Sequence, residues 1–285
     1  MRRSQFLLAA VALCCFCLHA AGPKKIVFVA GPKDHGPVGN GRHEYEKDLT
    51  VLKHCLDHSE NVFGITTKMY TGKVPDIAEL RDAAVIVLES SGDRTPTESH
   101  VIFPQNASTD QKTYDAKTMA YLIEFDKLMK KRVGLVAFHY TTWVENETGR
   151  KLWADWLGGY FLPKVSKTMQ STWSMALTNE KHPILRGIQP WTYDEEIFGY
   201  ERLIENPRPT PLIIGTPKKG ESSIASWALE RKGGGRGFVM TGVDWHKNLA
   251  LDNYRRLLLN GIVWAARMKV PAGGVQCSAL DELTK

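Results

Sequence analysis

Cysteine is scarce in this chain and is concentrated near its start. Five cysteines occur in 285 residues, and three of them stand at positions 14, 15 and 17. Only Cys55 and Cys277 follow, and two cysteines cannot make a disulfide framework. Two alternatives stay open for this pair. Cys55, at an apolar position of a helical pattern, is a core residue, or it forms a single bridge if the C-terminal segment packs back against it.

Local motifs for common catalytic machinery are also missing. After residue 21 the sequence has no HExxH or CxxC pair for zinc, and no GxSxG turn for a nucleophilic serine. The Gly-Gly-Gly run at 233–235 precedes a predicted strand and does not join a strand to a helix, so it is a turn and not a phosphate loop. Any metal or acid–base site must therefore be assembled from residues in separate loops.

No apolar run is long enough to span a bilayer comfortably, which takes about 20 residues. The chain instead starts like a secretory signal peptide, with two early arginines, an apolar run over 6–18 and small residues at 20–22. We predict a cleaved signal peptide over 1–21 and an exported protein, periplasmic or extracellular, with no stable membrane span. An uncleaved anchor and a lipoprotein are the alternatives, although Leu13 and Phe16 are poor neighbours for a lipidated cysteine.

The charge of the chain is modest and dispersed. Its net charge is +6 and its pI is about 9.0. No basic stripe alternates with aromatic residues, so nucleic-acid binding is not expected. Residues 22–285 contain no Pro-, Ser- or Gly-rich linker long enough to separate two folding units. We expect a single domain over 22–285, which is long enough to bury a full core.

Apolar runs alternate with helical patterns through the first half of the chain. Strands are predicted over three apolar runs, at 24–31, 83–88 and 133–138, and over 65–70. Helices are predicted over 45–56 and 116–132, where apolar residues recur at helical spacing. This alternation predicts an α/β fold, a doubly wound, mostly parallel sheet with helices on both faces.

The second half is less regular, and residues 93–112 are predicted to form an irregular insertion. Further strands are predicted at 173–177, 212–215, 224–229 and 237–241. Residues 153–161 predict a short helix that ends in a Gly-Gly turn. The clearest helix of the chain is predicted over 251–267, where apolar and small residues form one stripe.

Polar side chains that could carry chemistry stand near the ends of predicted strands. In an open parallel sheet, ligands bind beyond the carboxyl ends of the strands. The candidates are His35, His43, Glu89, His139, Glu195, Glu196, Asp244 and His246. Imidazole titrates near neutral pH and ligates zinc, so these histidines suit general-base or metal chemistry. If a divalent metal such as zinc binds, the predicted ligands are His35, His139 and His246.

The other histidines have structural explanations. His54 and His58 are four residues apart on a predicted helix and are expected on its solvated face. His100 lies in the predicted insertion and is expected at the surface. His182 precedes a proline and is therefore extended, so it either caps a turn or stands at the edge of the site.

Seven segments of the sequence, in this order, carry a likeness to a known family. They are IVFVAGPKDHG with GRHEYE, LMKKRVGLVAFHY, WLGGYF, KHPILRGIQPW, DEEIFGYERL, GGRGFVMTGVDWHKN and LLNGIVWAA. They resemble the ThuA-like family, named for trehalose utilisation, over nearly all of 25–271. The resemblance implies a fold like that of class I glutamine amidotransferases. Those enzymes place a nucleophilic cysteine after a central strand, where this chain has Phe138-His139-Tyr140, so a thiol glutaminase is excluded.

The resemblance also implies a set of polar site residues. The positions that the family shares correspond to His35, His43, Glu44, His139, Glu196 and His246. Relatives often have Gly-His-x-His where this chain has Val-Asp-Trp-His at 243–246, so Asp244 replaces a histidine. A carboxylate at that position can still bind a metal or accept a proton, but it cannot act as a neutral imidazole donor.

Two functions are consistent with these residues. The resemblance implies an enzyme that breaks down a disaccharide or keto-glycoside by histidine and carboxylate acid–base chemistry, with or without a metal. It would be an isomerase, lyase or hydrolase, with His139, Glu196 and His246 as catalytic residues. The sugar or sugar-derived ligand would contact His35, His43, Glu44, Tyr140, Asp244 and Asn248. The alternative is a non-catalytic carbohydrate-binding or accessory protein, in which Trp143, Trp173 and Trp245 stack on sugar faces.

Overall fold

The computed structural model describes residues 22–94, 100–103 and 114–277. The predicted signal peptide at 1–21 and most of the predicted insertion at 93–112 lie outside these residues. Across the described part of the chain, no helix combines the length and the apolar character that crossing a membrane requires.

A nine-stranded sheet forms the centre of the fold, with strands in the order β2-β1-β3-β4-β11-β10-β9-β6-β7. Its first five strands are parallel to one another. They are β1 (Lys24–Ala30), β2 (Ile65–Thr71), β3 (Ala83–Glu89), β4 (Gly134–Phe138) and β11 (Arg236–Met240). All five were predicted, and β1, β3 and β4 came from continuous apolar runs, as expected for strands covered on both faces. β2 is the edge strand, and its residues are half-buried or exposed.

Helices cover both faces of the parallel strands, because side chains alternate between the two faces along each strand. One layer contains α1 (Tyr45–Asp57) and α5 (Asp252–Ala265), which pack over Ile26 and Phe28. The opposite layer contains α3 (Ala116–Lys130) and α4 (Glu147–Leu157), which pack over Val27 and Val29. A single-turn helix, α2 (Ile77–Leu80), precedes β3. The predicted doubly wound α/β fold is confirmed.

The other half of the sheet is antiparallel and extends the fold beyond β11. It contains β10 (Ser223–Glu230), β9 (Thr210–Pro217), β6 (Lys167–Leu177) and β7 (Trp191–Gly199). β7 was not predicted, because the buried side of this strand carries Glu195 between Tyr193 and Ile197 and the apolar alternation is broken. A separate two-stranded sheet pairs β5 (Gly159–Tyr160) with β8 (Arg202–Leu203).

Helix α4 begins earlier than the sequence indicated. Its N-cap is Asn146, whose side chain accepts hydrogen bonds from the backbone N–H groups of Thr148 and Gly149. It ends at Gly158, whose φ of +85° is a left-handed conformation that glycine adopts without strain. The predicted Gly-Gly turn therefore ends this helix, as expected, but the helix starts at Glu147 and not at residue 153.

The C-terminal segment packs back against α1. Cys277 forms a disulfide with Cys55, which is completely buried in that helix. The side chain of Asn61 adds two hydrogen bonds to the same segment. Its Nδ2 donates to Gly274 O, and its Oδ1 accepts from Gln276 N. Of the two alternatives for the cysteine pair, the single bridge is the one that the structure contains.

The histidines with predicted structural roles divide in two. His182 caps a short 3₁₀ helix (Pro183–Leu185) by accepting from Ile184 N. The ring of His54, on α1, lies beside the ring of His58, which directly follows that helix. His100 is only 5% exposed, so its predicted surface position is wrong. Its Nε2 lies 3.0 Å from Thr141 O and its ring packs on Trp153, because the chain around it folds into the core below α4.

Candidate functional site

His139 stands directly after β4, at the first residue of a short 3₁₀ helix (His139–Thr142). Its Nδ1 lies 2.9 Å from Thr241 O, which only an N–H can satisfy, so the proton of the neutral ring is on Nδ1. Burial and the neighbouring His43 lower the pKa of His139. Nε2 therefore carries a lone pair, and within the described residues it has no hydrogen-bond partner.

His43 lies between two carboxylates. Its Nδ1 is 2.6 Å from Asp34 Oδ1, and its Nε2 is 3.1 Å from Asp244 Oδ1. The contact between His43 Nε2 and Asp244 Oδ1 is close enough for an ion pair, but its angles are too far from linear for a hydrogen bond. Burial alone would lower the pKa of His43, but the contacts with Asp244 and Asp34 outweigh it and raise the pKa to about 9. With its pKa raised in this way, the charged imidazolium form of His43 is favoured near neutral pH.

Asp34 is a residue that the sequence reasoning missed. Burial favours its neutral form, but contacts with His43, Ser91 and His35 hold its pKa well below the usual range. Tyr45 OH adds a contact to each carboxylate oxygen, at 3.1 and 3.2 Å. The available signal was its place immediately before His35 in the polar loop after the first strand. Its role here is to fix the orientation of His43.

Arg42 joins two carboxylates that come from different parts of the sheet. Its Nε donates to Asp244 Oδ2 at 2.8 Å, and its Nη2 donates to Glu196 Oε2 at 3.0 Å. The remaining oxygens, Asp244 Oδ1 and Glu196 Oε1, each lie 3.9 Å from His139 Nε2. Burial alone would raise the pKa of Asp244, but the contacts with His43, His139 and Arg42 outweigh it and lower the pKa to about 2. Both carboxylates thus present one oxygen to the same imidazole nitrogen.

The backbone at three histidines of this region is unusual. His35, His43 and His139 have φ values of 49°, 49° and 46°, in the left-handed region that side chains other than glycine seldom adopt. Such residues concentrate at functional sites, where the surrounding contacts hold them in place. The aromatic rings pack together as well, with ring centres 4.4 Å apart for His35 and His43 and 5.1 Å apart for His43 and His139.

Three buried atoms converge in a way that suits a metal ion. His43 Nε2, His139 Nε2 and Asp244 Oδ1 lie within 4.8 Å of one another, and none has a hydrogen-bond partner in the described part of the chain. Two imidazoles and a carboxylate are a frequent zinc ligand set. The opposite nitrogen of each imidazole is held by an acceptor, Asp34 or Thr241, which is how metal-binding histidines are usually fixed. We call these three residues the His-His-Asp centre.

The structure brings most of the predicted site residues to this centre. Glu196 reaches it through Arg42, His35 packs on His43, and Tyr140 packs against both of these imidazoles at 5.6–5.7 Å. A second group of possible ligand atoms is formed by Asp34, His35 and His43. His35 is the most open of these side chains, with 41% of it exposed.

Three predicted residues lie elsewhere. His246 belongs to neither group of converging ligand atoms, and its Nδ1 is 2.5 Å from Asp48 Oδ1. Glu44 Oε1 accepts hydrogen bonds from Gly39 N and Gly41 N, so it shapes the loop before α1. Asn248 Nδ2 donates to Glu195 Oε2 at 3.0 Å. Burial raises the pKa of Glu195 to about 8.

The three tryptophans that could stack on sugars differ in access. Trp173 is completely buried and donates its indole N–H to Glu195 O. Trp143 is 9% exposed and stacks on Phe161 with ring centres 3.9 Å apart. Trp245 is half-buried, and the Arg42 guanidinium lies 5.2 Å from its ring centre. Of these three tryptophans, Trp245 is the most exposed, although Lys247 also lies 5.0 Å from its ring centre.

Comparisons with known proteins agree with this architecture. No curated protein sequence is significantly similar to the chain. A ThuA-like protein from Bacteroides uniformis has a similar structure, with a TM-score of 0.56 at 14% identity over 87% of this chain and 93% of its own. A protein from Salmonella typhimurium described as cytoplasmic matches with a TM-score of 0.53 at 14% identity, over 85% of this chain and 98% of its own. These likenesses show the fold alone.

The family itself is shown by sequence. The family model described as trehalose utilisation, ThuA, matches residues 39–265. The match includes His43, His139, Glu196, Asp244 and His246, and it starts after Asp34 and His35. Because it covers more than half of the chain, the protein belongs to the ThuA family.

Proposed function

We propose that this protein is an exported enzyme that acts on a sugar or a sugar-derived substrate, with metal-assisted acid–base chemistry at the His-His-Asp centre. The observation that carries the proposal is the convergence of three buried ligand atoms, His43 Nε2, His139 Nε2 and Asp244 Oδ1. His139 Nε2 has no hydrogen-bond partner among the described residues, whereas His43 Nε2 and Asp244 Oδ1 form an ion pair at 3.1 Å. A bound cation would satisfy the buried nitrogen of His139 and take the place of the proton on His43. The description of the family, trehalose utilisation, supports a sugar as the substrate class.

The residues around the centre have distinct tasks in this proposal. His43, His139 and Asp244 would hold a divalent ion such as zinc, which supplies a Lewis acid or a water of lowered pKa. Asp34 and Thr241 O keep the two imidazoles oriented with Nε2 toward the centre. Arg42 fixes the outer oxygens of Asp244 and Glu196.

Proton transfer is assigned to Glu196. Its Oε1 is 3.9 Å from His139 Nε2, and its side chain is 19% exposed, so it lies beside the centre and can still reach a substrate. A positioned carboxylate at this place can take a proton from a sugar hydroxyl or from a water and return it to the product. His35, whose side chain is 41% exposed and packs on the ring of His43, would contact the substrate.

A purely carbohydrate-binding role has less support from the geometry. Binding modules of that kind rely on exposed aromatic rings that stack on sugar faces. Here Trp173 is fully buried and Trp143 stacks on another ring, so only Trp245 offers part of a face. The convergence of His43, His139 and Asp244 has no use in such a module.

Export is the second part of the proposal, and it rests on two observations. Residues 1–21 have the composition of a signal peptide. The Cys55–Cys277 disulfide is a bond that persists in oxidising compartments and is rare in reducing ones. Expression of the full chain in a bacterial host, followed by N-terminal sequencing of the secreted or periplasmic form, tests this part. A mature form that still starts at Met1 would contradict it.

The metal content of the purified mature protein is the direct test of the centre. Elemental mass spectrometry should find about one zinc or similar ion per chain, and His139→Ala should lose it. His58→Ala is the matched control, because His58 is an exposed residue directly after the C-terminal end of α1 and its variant should keep the metal. Turnover of trehalose and of 3-keto-glycosides by the loaded protein would then identify the reaction. If neither the parent protein nor the parent soaked in zinc holds metal, the centre is not a metal site.

A further inference from the structure

Glu201 carries a buried carboxyl group to which the proposed chemistry assigns no task. The residue lies between β7 and β8, and its Oε2 is buried without a hydrogen-bond partner among the described residues. In the same part of the chain, no lysine, arginine or histidine forms an ion pair with it. Because a carboxylate buried without a cation is costly, this environment favours the neutral acid.

Thr142 joins this carboxyl group to the main chain of His139. Its Oγ1 lies 2.6 Å from Glu201 Oε1 and 2.9 Å from His139 O. Both distances are those of hydrogen bonds, but a hydroxyl group has one hydrogen and a backbone carbonyl oxygen can only accept. Both contacts can be hydrogen bonds when Glu201 carries a proton, because Glu201 then donates to Thr142 and Thr142 donates to His139 O.

The main chain of His139 is in a conformation that needs such support. Its φ of 46° lies in the left-handed region, which a residue with a side chain keeps only where neighbouring contacts hold it. The ring is held separately, through the 2.9 Å contact of its Nδ1 with Thr241 O. Thr142 is completely buried, so its hydroxyl group is shielded from water at this point. The direction of His139 Nε2 therefore depends on one hydrogen bond to the main chain and one to the ring.

We propose that Glu201 is a positioning residue for His139, and that it acts as a neutral carboxylic acid through the hydroxyl group of Thr142. The proton on Glu201 turns the hydroxyl hydrogen of Thr142 toward His139 O, which keeps the left-handed backbone of His139 in place. Ionised Glu201 would accept from Thr142 instead, and His139 O would lose this donor. The benefit for metal binding rests on the proposed function, whereas the chain of hydrogen bonds does not.

This chain of hydrogen bonds makes the position of His139 depend on pH through a group outside its own ring. Burial raises the pKa of Glu201 to about 8, and the hydroxyl group beside it lowers the pKa only in part. Glu201 also lines a cleft of about 220 Å³, together with Tyr200, two serines and apolar or aromatic side chains. Arg202, next along the chain, is exposed, and the short helix on the other side carries the titratable rings of His139 and Tyr140. Glu201 should ionise between about pH 7 and 9, and the support of His139 should weaken over that range.

Nuclear magnetic resonance of the chelator-treated mature protein at about pH 6 tests this chain without a metal. The Nδ1 proton of His139 should give a slowly exchanging imidazole resonance, which is identified by its absence in His139→Ala. Thr142→Val and Glu201→Ala should each speed the exchange of this proton with water by about 3- to 10-fold, since a buried hydrogen bond is lost. Thr142→Ser and Glu201→Gln are the matched controls, because they keep the donors and should stay within about twofold of the parent. Thermal unfolding identifies any variant that does not fold, and the two disruptive variants do not rely on each other.

A pH series separates a proton on Glu201 from a merely structural contact. The ratio of the exchange rate in the parent to that in Glu201→Gln should rise by about 3- to 10-fold between about pH 7 and 9, because only the parent ionises there. Equal exchange rates in all four variants, or a ratio that does not change with pH, would overturn the proposal whatever the metal content. If zinc binds, Thr142→Val and Glu201→Ala should raise its Kd by a similar factor, and an unchanged Kd would overturn the benefit for metal binding. The absence of metal in the parent protein would overturn the proposed function, and the exchange rates would still decide this proposal.

Discussion

Replacing Asp34 by asparagine exchanges one heavy atom beside the His-His-Asp centre and should weaken metal binding. The Asp34 oxygens face four groups that can donate, at 2.6 Å from His43 Nδ1, 3.0 Å from His35 Nδ1, 2.5 Å from Ser91 Oγ and 3.1 Å from Tyr45 OH. Asparagine keeps one accepting oxygen but turns an NH₂ group toward the other donors. The lost charge-assisted hydrogen bond is worth about 1.5–3 kcal/mol.

That energy sets the size of the effect. Loss of an outer partner of a metal-binding histidine costs about 10- to 100-fold in affinity, which corresponds to about 1.4–2.8 kcal/mol. We expect the zinc Kd of Asp34→Asn to rise by this factor in a competition titration with a chromophoric chelator. Asp82→Asn is the control, because it removes the same charge from a side chain that is 70% exposed and pairs with Lys25. A zinc Kd within about threefold of the parent value would refute the role of His43 Nε2 as a ligand.

Three further predictions concern stability, each measured by urea unfolding. Arg42→Met leaves the buried Asp244 carboxylate without its guanidinium partner and should lower the free energy of unfolding of chelator-treated protein by about 3 kcal/mol. Added zinc should restore part of this loss. An unchanged free energy of unfolding would contradict the stabilising role of the Arg42–Asp244 contact. Burial raises the pKa of Glu201 from 4.5 to about 8, so the folded protein keeps a proton that the unfolded chain releases. Glu201 alone should therefore lower stability by about 1.4 kcal/mol per pH unit between about pH 5 and 8, and Glu201→Gln should reduce the measured slope by that amount, while the buried Glu195 keeps a slope of its own; a slope unchanged by the substitution would contradict the raised pKa of Glu201. Cys277→Ser opens the bridge to Cys55 and should cost about 2–4 kcal/mol, whereas equal stability with and without reductant in the parent would show that the bridge contributes nothing.

The parallel half of the fold could be predicted because its inner strands, β1, β3 and β4, are covered on both faces. Continuous apolar runs such as 83–88 and 133–138 have few alternatives in a chain of this length. The last helix was equally clear, since one face of α5 is buried along its full length. The antiparallel half was harder, because β7 buries Glu195 at a position where the pattern calls for an apolar residue.

The candidate site was predicted in its residue types but not in its grouping. His35, His43, His139 and Asp244 were identified from their places after strands, and the structure brings them together. Arg42 and Asp34 were missed, because a charged residue in a polar loop has no sequence pattern that separates it from a solvated one. His246 follows Asp244 by two residues, yet the side chains contact different partners, and only the path of the chain decides that.

One pair of backbone hydrogen bonds has a thermodynamic consequence for the His-His-Asp centre. His43 N donates to Asp244 O, and His246 N donates to Gly41 O, both at 3.0 Å, so the loop before α1 and the segment after β11 are tied together. The same tie holds His43 and Asp244 of the His-His-Asp centre in place, with His246 beside them. If binding at the centre tightens these two hydrogen bonds, then any change that loosens them must weaken that binding by the same free energy, because linkage is equal in both directions.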